Sequence, residues 1–219
     1  MSKIIWLSSM IDRTISSKIN QLRDKFPIIT LTGPRQTGKT TLLKALYKDL
    51  PYVSLEDIDS RSIATNDPRG FLANFQKGAV IDEIQQVPSL LSYIQSHVDS
   101  SNAHFALSGS HNLQLLQGII QSLAGRTAIL KLLPFSYDEL RTGSFDFDNY
   151  EEIVFHGGYP RIYDRQIAPA DFYPSYIATY VERDVRQIKN IEDLSAFSMF
   201  LRLCAGRIGQ VLKYLTYSR

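Results

Sequence analysis

The sequence is poor in cysteine and has no excess of charge of either sign, and each absence limits what the protein can be. Its 219 residues include a single cysteine, Cys204, so no internal disulfide can form. The simplest interpretation of Cys204 is a buried helical residue in a reducing cytoplasm. The net charge at pH 7 is +2, so no strongly basic surface supports DNA binding. We therefore expect a cytoplasmic location, and the composition of this chain does not support DNA binding.

Long apolar segments are also missing. The longest apolar run near the start covers residues 4–7, and nothing later approaches the length that a membrane-spanning helix needs. We expect neither export nor a membrane span. The hydrophobic content of 44% is ordinary for a globular protein and sufficient for a sizeable core.

Short apolar runs alternate with segments of helical periodicity up to about residue 140. The predicted strands cover residues 28–32, 52–55, 79–81, 104–107 and 127–133. The predicted helices among them include residues 41–50, 90–98 and 113–123. This alternation predicts an α/β fold in which helices cover both faces of a parallel sheet.

The composition changes after residue 140. Residues 141–150 are rich in glycine, serine, aspartate and asparagine, which is typical of a linker or an exposed loop. Helical periodicity then predicts helices over residues 151–155, 171–188 and 193–205. We therefore expect a first domain over residues 1–140 and a mostly helical segment over residues 141–219.

A glycine-rich motif follows the first predicted strand and precedes a predicted helix. It fits the pattern G-x-x-x-x-G-K-T, in which backbone N–H groups cradle phosphate oxygens at a helix N-terminus. Lys39 would reach the β- and γ-phosphates, and the Thr40 hydroxyl would ligate Mg²⁺. An ordinary glycine turn is the alternative. The candidate nucleotide-binding residues are Gly33, Pro34, Arg35, Gln36, Thr37, Gly38, Lys39, Thr40 and Thr41.

Two acidic residues follow the short apolar strand at residues 79–81. A carboxylate at the carboxyl end of a parallel strand can hold the hydration shell of Mg²⁺, and this role falls to Asp82. The neighbouring Glu83 can orient and deprotonate the attacking water. The alternative for Glu83 is a loop acid without a catalytic part.

Two further residues are weaker candidates. The segment Ser108-Gly109-Ser110 ends the strand at residues 104–107, where a polar side chain such as that of Ser110 could contact the γ-phosphate or the attacking water, although a plain strand-to-loop turn explains it about as well. Arg126 precedes the last strand and could act as a finger that neutralises charge on the transferring phosphoryl group. Its alternative is a salt-bridged surface arginine.

These motifs together resemble those of a family of prokaryotic AAA+-like ATPases with a C-terminal domain of unknown function. The similarity covers about residues 10–210 and includes the glycine loop, Ile81-Asp82-Glu83, Leu107-Ser108-Gly109-Ser110, Leu123-Ala124-Gly125-Arg126, Leu133-Pro134-Phe135-Ser136 and Gly157-Gly158-Tyr159-Pro160. The resemblance implies an additional-strand P-loop fold that binds ATP, with Ser110 as a γ-phosphate sensor. It also implies that Arg126 touches the nucleotide, either in the same chain or from a neighbour. Family members look as though they continue into a further domain, so we expect a C-terminally truncated chain.

Two functions follow. The first is a P-loop ATPase that hydrolyses ATP with Mg²⁺ to drive or time a conformational change. The alternative is a nucleotide-dependent protein-interaction switch with little intrinsic hydrolysis. Both imply ATP as ligand, and a protein partner or self-association. A small-molecule kinase is weaker because no acceptor pocket or arginine-rich lid is evident, and no Asn-Lys-x-Asp segment supports a GTPase.

Overall fold

A computed structural model describes residues 11–110, 118–119, 121–183 and 193–207 of the chain. The chain forms two compact units, Met1–Gln166 and Ile167–Arg219. The first unit contains the sheet. In the part of the chain that the structure describes, no helix is both long enough and apolar enough to cross a membrane.

The sheet consists of five parallel strands in the order β2-β3-β4-β1-β5. Their bounds are β1 Ile28–Gly33, β2 Tyr52–Ser54, β3 Val80–Asp82, β4 Phe105–Ser110 and β5 Thr127–Lys131. Strand β4 lies between β1 and β3, and it is therefore the additional strand that the resemblance implies. The predicted α/β fold with a parallel sheet is confirmed.

Helices pack on both faces of this sheet. Those of the first unit are α1 Ile15–Arg23, α2 Lys39–Leu46, α3 Ile58–Asn66, α4 Pro68–Ala73, α5 Leu90–Ser100, α6 Tyr137–Thr142, α7 Tyr150–His156 and α8 Pro160–Asp164. A 3₁₀ turn covers Ile84–Gln86. Pro68 is the first residue of α4, and the Asp67 side chain caps this helix by accepting a hydrogen bond of 2.9 Å from the N–H of Gly70. The predicted helix over residues 113–123 lies largely outside the described residues.

The second unit contains two described helices, α9 Pro169–Arg183 and α10 Leu194–Ala205. Both coincide with predicted helices, although residues 184–188 of the first prediction lie outside the described residues. Cys204 is on α10 as expected, but it is half-buried rather than buried. The predicted helical character of this part of the chain is confirmed.

The core lies in two layers that β1 separates. Ile28 packs with α4 and α5 residues on one face, whereas Ile29 and Leu31 pack with Leu42 and Leu43 of α2 on the other. All six residues of β1 are buried. Each fully buried aliphatic side chain contributes roughly 1.5–3 kcal/mol, so these layers fix the central strands firmly. The carboxyl ends of β1, β3 and β4 consequently meet at one edge of the sheet.

Candidate nucleotide-binding site

The glycine loop connects the end of β1 to the first turn of α2. Gly33 has a φ of 151°, and a Cβ atom at this position would lie 2.1 Å from the carbonyl oxygen of Leu132. Gly38 has a φ of 89° immediately before α2 begins. Both positions require glycine. Gly33 does so because the backbone of Leu132 approaches it closely, and Gly38 does so because its φ is positive. The glycines of the motif thus have structural reasons for their places.

Lys39 is folded against the loop that precedes it. Its ammonium group donates hydrogen bonds of 3.0 Å to the carbonyl oxygen of Gly33 and 2.8 Å to that of Pro34. The Thr37 hydroxyl also donates to the Pro34 carbonyl, at 3.0 Å. Lys39 is only 6% exposed. A buried cation is therefore held at the loop, where phosphate groups would supply its counter-charge.

The carboxylate of Asp82, at the end of β3, accepts hydrogen bonds from three hydroxyl groups. Oδ2 accepts from Thr40 at 2.7 Å and from Tyr52 at 3.0 Å, and Oδ1 accepts from Ser108. The structure thus brings together Thr40 and Asp82, the two predicted metal-binding residues. Hydroxyl and carboxylate oxygens are ligands that Mg²⁺ prefers, so this donor set fits that ion, with water completing its shell.

Glu83 lies next to this cluster in an unusual backbone conformation. Its φ is 57°, and its carboxylate accepts a hydrogen bond from the Gln85 side chain. Burial raises the pKa of Glu83 above its ordinary value, and the charge of Asp82 acts in the same direction. The Gln85 hydrogen bond and the charges of Arg35 and Lys39 oppose this shift without cancelling it. A half-buried carboxylate with a raised pKa is a better proton acceptor than an exposed one.

Ser110 reaches the same edge of the sheet. It is the last residue of β4 and pairs in register with Gly33, the first glycine of the loop. The structure therefore places Ser110 beside the loop, as a γ-phosphate sensor requires. Its role as a sensor stays a prediction.

Arg126 lies at the opposite end of the sheet. Its carbonyl oxygen accepts a hydrogen bond of 3.2 Å from the N–H of Ile28, where β1 begins. Its guanidinium donates to both carboxylate oxygens of Asp99, at 2.6 and 2.8 Å. The length of β1, about 16 Å, separates this point from Gly33. The structure thus does not bring Arg126 to the loop of its own chain. A contact of Arg126 with nucleotide bound to a neighbouring chain stays a prediction.

The sequence analysis missed Tyr52, Arg13 and Glu139, and it named the segment that contains Ser108 without assigning a role to Ser108 itself. The hydroxyl groups of Tyr52 and Ser108 donate hydrogen bonds to Asp82. Arg13 donates a hydrogen bond to the Thr37 carbonyl of the loop, and Glu139 forms an ion pair with Arg13. The strand position of Ser108, two residues before Ser110 and on the same face, was a usable signal for it. Nothing in the local sequence around Arg13 indicates its contact with the loop.

This sheet order and the loop ending in Lys39 and Thr40 beside Asp82 define a nucleotide-binding P-loop ATPase fold. The chain belongs to the AAA domain family, whose model matches residues 25–141. A second model, a domain of unknown function (DUF8612), matches residues 147–219. The resemblance to an AAA+-like ATPase family with a C-terminal domain of unknown function is confirmed.

Two curated proteins and one solved structure are similar to this chain. Two uncharacterized proteins, Mb2031c of Mycobacterium bovis and Rv2008c of Mycobacterium tuberculosis, are each 28% identical over an alignment of 183 residues that covers 80% of this chain. The chain spans 40% of the length of these relatives. Among solved structures, the Walker-type ATPase PABY2304 of Pyrococcus abyssi matches 90% of this chain and 77% of its own, with a TM-score of 0.50 and 16% identity. That likeness concerns the fold alone.

Proposed function

We propose that this chain binds ATP together with Mg²⁺ and hydrolyses it. The observation that carries the proposal is the hydrogen bond of 2.7 Å between Thr40, at the start of α2, and Asp82, at the end of β3. It joins the loop that would hold phosphates to the carboxylate that would hold the metal. A loop that served only to turn the chain would need no such partner.

Each residue then has a distinct part. The backbone N–H groups of the loop and the ammonium of Lys39 bind the β- and γ-phosphates. Thr40 and Asp82 hold Mg²⁺, which supplies positive charge against the phosphate oxygens when it is bound. Glu83 accepts a proton from the water that attacks the γ-phosphorus, as the bond between that phosphorus and the leaving oxygen of ADP breaks. The products are ADP and inorganic phosphate.

The alternative, a nucleotide-dependent interaction switch with little hydrolysis, is favoured by one observation. Arg126 is paired with Asp99 at the end of the sheet remote from the loop. Loss of an arginine finger lowers phosphoryl-transfer rates by about 10³–10⁵-fold in related systems, so an isolated chain that lacks one would hydrolyse ATP slowly. A conformational role, a protein partner or self-association, and a cytoplasmic location are parts of the proposal that need their own tests.

The test is Mg²⁺-dependent phosphate release from ATP, measured beside equilibrium binding of ATP. The parent chain is compared with Glu83→Gln and with Glu151→Gln, an exposed glutamate of α7. Turnover that is lost in Glu83→Gln and retained in Glu151→Gln, with binding unchanged, supports hydrolysis with Glu83 as base. Binding without turnover in any variant supports the switch. Absence of ATP binding by the folded parent contradicts both.

A further inference from the structure

The side chain of Arg13, just before α1, forms a hydrogen bond with the backbone of the glycine loop. Its Nη1 donates a hydrogen bond of 2.9 Å to the carbonyl oxygen of Thr37, the residue before Gly38. Its Nη2 donates to the carbonyl oxygen of Leu133 at 2.5 Å. Arg13 is 8% exposed. One guanidinium therefore fastens the loop to the segment that follows β5.

Several groups hold this guanidinium in place. Its Nε lies 3.3 Å from Oε2 of Glu139, and its central carbon lies 4.6 Å from the centre of the Phe135 ring. Burial holds the pKa of Arg13 below its ordinary value although the nearby Glu139 carboxylate raises it, and arginine stays protonated in proteins. The planar group is thus charged, stacked and oriented.

Glu139 is itself fixed by the backbone. Its Oε1 accepts a hydrogen bond of 2.7 Å from the N–H of Thr14, and its Oε2 accepts one of 3.0 Å from the N–H of Ser136. Ser136 and Glu139 form the capping box that begins α6. The orientation of Arg13 is therefore set by rigid elements, which is what a positioning group requires.

We propose that Arg13 is a positioning residue for the phosphate-binding loop, an inference that rests on the proposed function. In a trans peptide the carbonyl oxygen and the following N–H point in opposite directions, and the Thr37–Gly38 bond is trans. By holding the Thr37 oxygen on the outer side of the loop, Arg13 turns the N–H of Gly38 toward the inner side. That N–H is one of the donors expected to meet phosphate oxygens. The loop is consequently shaped for phosphate before any nucleotide arrives, and this lowers the entropic cost of binding.

The experiment compares the full chain with Arg13→Lys and Arg13→Gln. Lysine keeps the charge but lacks the planar guanidinium, so it cannot donate to the carbonyl oxygens of Thr37 and Leu133 in the same geometry. Arg23→Lys is the matched control. Arg23 is the last residue of α1, and its side chain also donates to a backbone carbonyl, that of Leu46 at the end of α2 remote from the glycine loop. Affinities are measured for Mg·ATP and for AMP, together with the thermal midpoint of unfolding.

We expect Arg13→Lys and Arg13→Gln to weaken Mg·ATP binding by at least about tenfold and AMP binding much less, because the loop serves the β- and γ-phosphates. Arg23→Lys keeps the affinities of the parent. Parental Mg·ATP affinity in folded Arg13→Lys and Arg13→Gln would overturn the inference, as would an equal loss for ATP and AMP. Loss of folded structure in Arg13→Lys would assign Arg13 a purely structural role and overturn it too. Failure of the parent to bind Mg·ATP would instead refute the proposed function.

Discussion

The hydroxyl of Thr40 donates to Oδ2 of Asp82 over 2.7 Å, and this bond ties the first turn of α2 to the carboxyl end of β3. The two residues are distant in sequence, so only the parallel sheet brings them together. Their chemistry matches the ligand preference of Mg²⁺.

Asp82→Asn tests this pairing. The amide keeps the shape of the side chain but removes its charge, so we expect ATP binding to lose most of its dependence on Mg²⁺. The measurement is a titration of ATP at several Mg²⁺ concentrations. Asp59→Asn, an exposed aspartate on α3, is the control and should behave as the parent. An unchanged Mg²⁺ dependence in Asp82→Asn would remove Asp82 from the metal site.

Tyr52→Phe probes the second hydroxyl on Asp82. The Tyr52 hydroxyl donates to Oδ2 at 3.0 Å, and burial with the neighbouring Asp82 charge raises the pKa of Tyr52 to about 12, so it stays a donor at neutral pH. Loss of this donor frees the carboxylate to turn, and we expect a few-fold rise in the Mg²⁺ concentration needed for half-maximal ATP binding.

The control for Tyr52→Phe is Tyr93→Phe, because both tyrosines are 37% exposed and Tyr93 lies on α5. We expect only the change at residue 52 to alter the Mg²⁺ requirement. Equal behaviour of the two variants would show that Tyr52 does not orient Asp82.

Glu139 gives a prediction for pH. Burial raises its pKa, but hydrogen bonds from Ser136 and Thr14 and the charge of Arg13 outweigh this and hold the pKa below the ordinary value of 4.5. At pH values between the lowered pKa of Glu139 in the folded chain and its ordinary pKa in the unfolded chain, the unfolded chain binds more protons than the folded one. The free energy of unfolding therefore rises with pH in this range. The stabilisation is complete above 4.5 and is lost as pH falls through the folded-state pKa.

Urea unfolding at a series of pH values checks this prediction. The parent should be more stable than Glu139→Gln near neutral pH, and the difference should shrink as the solution is acidified. Glu151→Gln, at an exposed position, should show no such trend. A difference between parent and Glu139→Gln that does not depend on pH would contradict the assigned cause.

Arg126→Ala distinguishes the two ends of the sheet. Because Arg126 pairs with Asp99 far from the loop, we expect ATP affinity in the monomeric chain to equal that of the parent. Hydrolysis that falls only under conditions of self-association would support a finger from a neighbouring chain. Weakened ATP binding by monomeric Arg126→Ala would contradict the observed placement.

The sequence was sufficient to predict the parallel sheet and the glycine loop, which is the part of the site formed by consecutive residues. Alternation of apolar strands and periodic helices predicted the class, and the spacing of Gly33, Gly38 and Lys39 predicted the loop. It missed α6, although Ser136 and Glu139 form a capping-box pattern that predicts a helix start. It also missed Arg13, because a contact between residues 13 and 37 depends on how α1 packs and leaves no local pattern. Arg126 was proposed as a finger although it precedes β5, and the amino end of a parallel strand lies away from the carboxyl edge that holds the loop.

Equilibrium binding of Mg·ATP to the parent and to Lys39→Ala shows whether the loop ending at Lys39 binds the phosphates of ATP. Lys39 is buried and bonded to the loop, whereas Lys48, the control position, is exposed. We predict that Lys39→Ala weakens binding by at least about a hundredfold and that Lys48→Ala leaves it unchanged. Undiminished Mg·ATP affinity in a folded Lys39→Ala variant would show that this loop does not bind the phosphates.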